Sequence, residues 1–164
     1  MLAENIGKAN RLNAIAERIG FAIWQLQELE RSSAQYYVLI VKASPGMGIE
    51  KGKVLLDDAL SKTFGKTVSR LQKSGRVPDE LMIRLQKLLD ERNWLVHNSR
   101  ATSRSAVHDQ TVCHQLIQRI NGIADEALAL LGEVVKQVEA FILTQGFSAK
   151  DIEVAARRAH TKVG

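Results

Sequence analysis

Apolar side chains return every seven residues along the first forty positions of this chain. Leu12, Ile19, Leu26 and Ile40 lie on one such row, and Ile15, Ala22, Leu29 and Tyr36 on the row beside it. Two rows kept in phase over this length describe one long helix whose seam is covered by other helices. The spacing predicts a helix from about Ala3 to Ala43. The run Tyr36-Tyr37-Val38-Leu39-Ile40-Val41 prefers strand by local propensity. The seven-residue phase continues through it, so helix is the expectation, with Tyr36 and Tyr37 as core or interface aromatics.

Punctuation divides the rest. The chain has two prolines, Pro45 and Pro78, each close to glycine. Ser44 to Gly48 reads as a loop, followed by a helix over about Glu50 to Phe64 and another over about Lys66 to Lys73, the two open to being continuous through Gly65. Ser74 to Pro78 reads as a turn. Pro78 followed by Asp79 and Glu80 suits a helix start, where φ is pre-set and acids meet the positive end of the helix dipole. That helix is predicted to run to Asn98 with Leu81, Leu85, Leu88 and Leu95 in the core. The polar stretch Ser99 to Ser105 reads as a loop. A long helix is expected from about Ala106 to Gln145, its apolar face built on Val112, Leu116, Ile120, Ile123, Leu130, Val134, Val138 and Phe141. Gly146 stops it, and Ser148 with Asp151 has the form of a capping box opening a short basic helix to about Lys162. The expected fold is therefore all-α, a bundle of four to six helices with long first and penultimate members, in one domain spanning 1–164.

Composition narrows the function classes. Hydrophobic residues make up 45% of 164, enough for a packed core. A net charge of +5 favours an anionic partner. The single cysteine, Cys113, excludes an intrachain disulfide and a cysteine-based zinc site, and fits a reducing compartment. No apolar run is long enough to span a bilayer, and the start carries no basic-then-apolar leader, so the expectation is a cytoplasmic protein without a membrane partner. His108, His114 and His160 lack metal-ligand spacing, and Gly46-Met47-Gly48 lacks the lysine and flanking elements of a phosphate-binding loop. Neither a metal nor a cofactor is expected.

The chemistry-bearing segment is Leu88 to Asn98. On a helix, Arg92, Asn93, Val96 and His97 fall within an arc of roughly 140°. Arg92 offers a permanent cation with a planar donor fork suited to phosphate. His97 can pass protons near neutral pH. A plain alternative reads Arg92 and His97 as cations complementing the negative end of a helix in an unrelated helical adaptor.

The run Arg92-Asn93-Trp94-Leu95-Val96-His97 resembles the Arg-(Asn/Asp/His)-x3-His motif of the HEPN superfamily (higher eukaryotes and prokaryotes nucleotide-binding domain). The likeness extends over Gly65 to His97, and helix order follows it along most of the chain. It implies a four- to five-helix bundle, commonly a two-fold homodimer, acting as a metal-independent endoribonuclease in toxin–antitoxin, phage-exclusion or CRISPR-linked defence. It equally admits a catalytically silent bundle that binds RNA or a partner protein. In this reading His97 supplies acid–base chemistry, Arg92 stabilises the phosphate, and Asn93 orients His97 or donates to the phosphate. RNA is the expected substrate, with an antitoxin or regulatory protein as a further partner. Arg100 and Arg104 are candidate backbone contacts in the loop after the motif. Lys66 and Arg70, in the row Lys62, Lys66, Arg70 and Lys73, are candidate phosphate contacts, although such a row is also what a solvated helix face carries. The superfamily often places a polar or acidic helper on the first helix; Glu28, Glu30 and Arg31 lie in that region, and the pattern selects none of them. One departure stands out. Toxins of this type paired with a nucleotidyltransferase antitoxin carry a tyrosine two residues after the histidine, where this chain has Ser99, which puts control by tyrosine AMPylation in doubt.

Overall fold

The computed structural model describes residues 1–151, 153, 154 and 157, and within them it is all-α, with no strand. Five α-helices follow in order: α1 (Leu2–Tyr37), α2 (Ile49–Leu60), α3 (Phe64–Ser74), α4 (Asp79–Ala106) and α5 (Gln110–Thr144). The short basic helix expected after Gly146 falls mostly on residues outside that description.

The seven-residue rows of α1 predict its packing well. Ile15, Ala22, Leu26, Leu29, Tyr36 and Ile40 are all buried, whereas Leu12, at the open end of its row, is half exposed. The β-prone stretch is helical, but in a wider form: Val38–Lys42 makes a π turn, closed by the Ala43 amide donating to the Val38 carbonyl at 2.8 Å. The Arg76 guanidinium donates to the Ile40 carbonyl within that turn, tying it to the segment before α4.

Helices α2 and α3 are separate. The Ser61 hydroxyl donates back to the Asp58 carbonyl, and Thr63 caps α3 by accepting from the Lys66 amide at 3.3 Å. That cap places Gly65 in the first turn of α3, not in a continuous helix. Gly75 ends α3 in the left-handed region, φ 61°.

One expectation fails. Ser99 to Ser105 is not a loop, since α4 continues to Ala106. The serines read as loop formers by composition, yet no glycine or proline interrupts the segment. They also keep the phase of the helix. Leu85, Arg92, Ser99 and Ala106 are seven residues apart, and Leu85, Ser99 and Ala106 are buried. Ser99 and Ser103 donate their hydroxyls to the carbonyls of Leu95 and Ser99, four residues back, so their polar atoms are satisfied inside the helix itself. The true break is Val107–Asp109, where the Asp109 carboxylate accepts from the amides of Thr111 and Val112 and starts α5.

Helix α5 packs along both α1 and α4 and supplies the middle of the core, with Cys113, Leu116, Ile120, Ala127 and Leu130 buried. Two paired arginines lock α4 to α5: Arg84 to Glu126 at 2.8 and 3.0 Å, and Arg119 to Glu91 at 2.9 and 3.0 Å. Arg119 also lies over the Trp94 ring, 3.4 Å from its centre. Helices α1 and α4 run antiparallel, as two contacts fix. The Arg11 guanidinium donates to the Val107 carbonyl at 2.7 Å, and Arg92 pairs with Glu30. No helix among the described residues is long and apolar enough to cross a membrane.

Candidate active site on the fourth helix

The motif lies mid-way along α4, not at its end, because the helix runs nine residues past His97. This removes the reason to read His97 as a cation complementing a helix terminus, since that effect is confined to the last turn.

Arg92 occupies a position that periodicity would assign to the core, seven residues after Leu85 and seven before Ser99. A guanidinium there needs a counter-charge. Glu30 of α1 provides it: Arg92 Nε donates to Glu30 Oε1 at 3.1 Å, with the two side chains 28% and 27% exposed. Glu30 is itself in core phase, seven residues after Ile23 and seven before Tyr37. The chain thus carries a signal that the motif alone does not reveal: one charge on each of two antiparallel helices, at positions where apolar residues are due.

Asn93 turns its carbonyl oxygen toward Arg92, which donates through Nη1 at 3.5 Å. No hydrogen bond joins Asn93 to His97 among the described residues, so an orienting role for Asn93 in this resting arrangement has no support. His97 is exposed and has no hydrogen-bond or ion-pair partner among those residues. Arg92 Nη2 likewise has no protein partner there. The result is a guanidinium anchored through Nε and partly open at its far edge, followed five residues on by a free imidazole. The two positions are about 7.5 Å apart along the helix axis and about 140° apart around it.

Arg100 and Arg104 are exposed on the extension of α4, one turn apart, and neither has a carboxylate partner among the described residues. They are fixed to a helix instead of a flexible loop. The other basic row is divided. Asp58 holds Lys62 at 3.0 Å and Arg70 at 3.9 Å, and Arg70 also sits 5.6 Å over the Tyr37 ring. The ammonium of Lys62 holds the Asp58 carboxyl below its ordinary range. Of Lys66 and Arg70, only Lys66 is exposed without a side-chain partner among the described residues. Among those residues no three His, Cys, Asp or Glu side chains cluster as a metal ion would require.

Two concavities lie to either side of the motif along α1, and neither is lined by Arg92, Asn93 or His97. A cleft of about 400 Å³ between α1 and the α2–α3 junction is lined by Glu30 together with Gln27, Arg31 and Thr67. A groove of about 720 Å³ between α1 and the end of α4 is lined by Leu12, Ala16, Ile19, Ser103, Arg100 and Arg104 among others. No family model, no curated protein and no solved structure matches this chain.

Proposed function

We propose that this chain is a metal-independent endoribonuclease of HEPN type, acting as a toxin or phage-defence effector. The observation that carries the reading is an exposed His97, without a partner among the described residues, on the same helix as an Arg92 that Glu30 holds through Nε. RNA contributes its own nucleophile, so the protein needs only proton transfer and charge stabilisation. His97 takes the 2′-hydroxyl proton, the O2′–P bond forms and the P–O5′ bond breaks. A protonated imidazole then returns a proton to the leaving 5′-oxygen. Such acid–base help is worth roughly 10²–10⁴-fold. Arg92 stabilises the non-bridging oxygens as negative charge builds. Arg100, Arg104 and Lys66 hold flanking phosphates. The products carry 2′,3′-cyclic phosphate and 5′-hydroxyl ends.

One histidine per chain serves poorly as both base and acid in one turnover. A two-fold homodimer built on this face of α4 would bring a second His97 to the same site, because an isologous interface pairs a patch with itself.

The test is incubation of the purified protein with total RNA in EDTA, beside His97→Ala, with analysis of the product ends. Cleavage by the unaltered chain alone, with cyclic phosphate ends, is expected. Host toxicity on expression, relieved by His97→Ala, would extend this to the toxin role.

A second reading has an observation in its favour. No group orients His97 among the described residues, and Arg92 is already engaged by Glu30, as in a silent bundle that only binds RNA or protein. RNA binding without cleavage by either form would select it.

A further inference from the structure

Two contacts join α1 to α4 on either side of the groove between α1 and the C-terminal third of α4. Arg11 meets the Val107 carbonyl beside the groove, and Glu30 meets Arg92 well beyond its other end. Between them the α1 wall is aliphatic: Leu12 is half exposed, with Ala16 and Ile19 beside it. The facing side of α4 presents Ser99 and Ser103. These small side chains have already given their hydroxyl protons to carbonyls of their own helix, so they demand nothing further from a ligand. Arg100 and Arg104 stand on the rim.

Among the described arginines, Arg100 and Arg104 share with Arg18 and Arg31 the lack of a partner, but only Arg100 and Arg104 line this groove. Arg11, Arg70, Arg76, Arg84, Arg92 and Arg119 all have a carboxylate, carbonyl or ring partner. Arg100 and Arg104 have none among the described residues, and they are one helical turn apart beside an uncovered apolar wall.

The geometry points to this groove as the docking site for an acidic amphipathic helix of a partner protein. Its apolar edge would lie on Leu12, Ala16 and Ile19, and carboxylates on successive turns would meet Arg100 and Arg104. The wall spans Leu12 to Ile19, about 10 Å of helix, which accommodates about two turns of a partner and the i, i+3/i+4, i+7 spacing of its anchors. Paired guanidinium–carboxylate bonds favour arginine over lysine in this setting.

Other occupants fit less well. A nucleotide would find the Arg100 and Arg104 guanidinium planes and the His108 ring in the lining, but the α1 wall is aliphatic and offers no ring for a base to stack on. The chain's own stretch 148–164 carries Lys150, Arg157, Arg158 and Lys162 against Asp151 and Glu153, a net charge of the wrong sign. A partner seated here would cover Arg100 and Arg104 and so compete with RNA. That regulatory consequence rests on the proposed ribonuclease function, whereas the docking itself does not.

The experiment uses the full-length chain and its His97→Ala form. Fluorescence anisotropy would follow binding of labelled synthetic helices carrying leucine at i, i+3/i+4 and i+7 and glutamate pairs at i,i+3 or i,i+4 flanking them. Lysine-for-glutamate versions serve as controls. Binding of at least one glutamate helix tighter than about 100 µM, with the lysine versions at least tenfold weaker, is expected. Arg100→Glu/Arg104→Glu should weaken it more than tenfold, and Ile19→Glu similarly. Val54→Glu, on exposed α2 surface, should not, and circular dichroism would verify that each variant is folded. No binding by any glutamate helix, equal binding of the lysine versions, or indifference to the groove variants would overturn the proposal. Because His97→Ala must bind the peptide as the unaltered chain does, loss of the ribonuclease reading leaves this result readable on its own. Conversely, RNA cleavage without peptide binding removes only the groove.

Discussion

The two halves of α4 solve different problems with the same periodicity. Before residue 90 the inward rows hold Leu81, Leu85 and Leu88, and the exposed flank reaches α5 through Arg84. After it, the inward rows hold Arg92, Ser99 and Ser103 beside Leu95 and Ala106, and the exposed flank presents Asn93, His97, Arg100 and Arg104. The first half buries apolar area at about 25 cal/mol per Å². The second gives inward-facing positions to one ion pair and to hydroxyls satisfied within the helix, so it contributes less packing per turn. Here a helix surrenders core positions to polar groups beside a histidine and two arginines that have no partner among the described residues, as the proposed site requires, and this contrast can be tested from either end.

The largest expected effect is on chemistry. His97→Ala should lower RNA cleavage by at least 10²-fold while leaving the thermal midpoint unchanged, because the side chain is exposed and unpartnered among the described residues; cleavage kinetics with a parallel melting curve would show both. Leu85→Ala should do the reverse. Its side chain is fully buried, and truncation should cost about 2–5 kcal/mol in urea unfolding. Were Leu85→Ala mild and His97→Ala strongly destabilising, the division of α4 would collapse.

Glu30→Gln lies between the halves. It keeps the shape and removes the counter-charge of Arg92, so it should reduce cleavage about tenfold or more and cost about 1–2 kcal/mol, between the values for exposed and buried pairs. Denaturation and single-turnover cleavage measured together would separate the two effects. Ser99→Ala should change stability by less than about 1 kcal/mol, since it removes a hydroxyl together with its within-helix bond; an effect as large as that of Leu85→Ala would mean the serine row is itself a packing seam. The smallest effect is electrostatic. Asp58 is held below its ordinary pKa by Lys62, so its contribution is present above about pH 4 and is lost as pH falls through the lowered folded value. Asp58→Asn should flatten that acid limb slightly in unfolding curves recorded from pH 5 downward.

Much of this architecture is legible in the sequence. The heptad rows of α1, the leucines of α4 and the apolar face of α5 predict the core because long helices repeat their burial faithfully. The failures share a physical cause, which is that tertiary or within-helix bonds override local composition and spacing. Ser99 to Ser105 resembles a loop because serine competes for backbone bonds, but here the hydroxyls of Ser99 and Ser103 bond four residues back and leave the helix intact. The heptad phase marks Glu30 as a charge at an apolar position, but its partner lies 62 residues away, and only the antiparallel packing of α1 on α4 reveals that it meets Arg92. Spacing alone makes Arg70 a phosphate candidate, and tertiary structure commits it to Asp58 and Tyr37.

The central claim is that α4 carries a ribonuclease site using the substrate's own 2′-hydroxyl. The most direct measurement compares an RNA oligonucleotide with its 2′-O-methyl counterpart in EDTA, using the unaltered protein and His97→Ala in parallel. The expected result is cleavage of the RNA alone, by the unaltered protein alone, with 2′,3′-cyclic phosphate ends. Cleavage of the 2′-O-methyl strand, undiminished cleavage by His97→Ala, or no cleavage of RNA by the unaltered protein would contradict it.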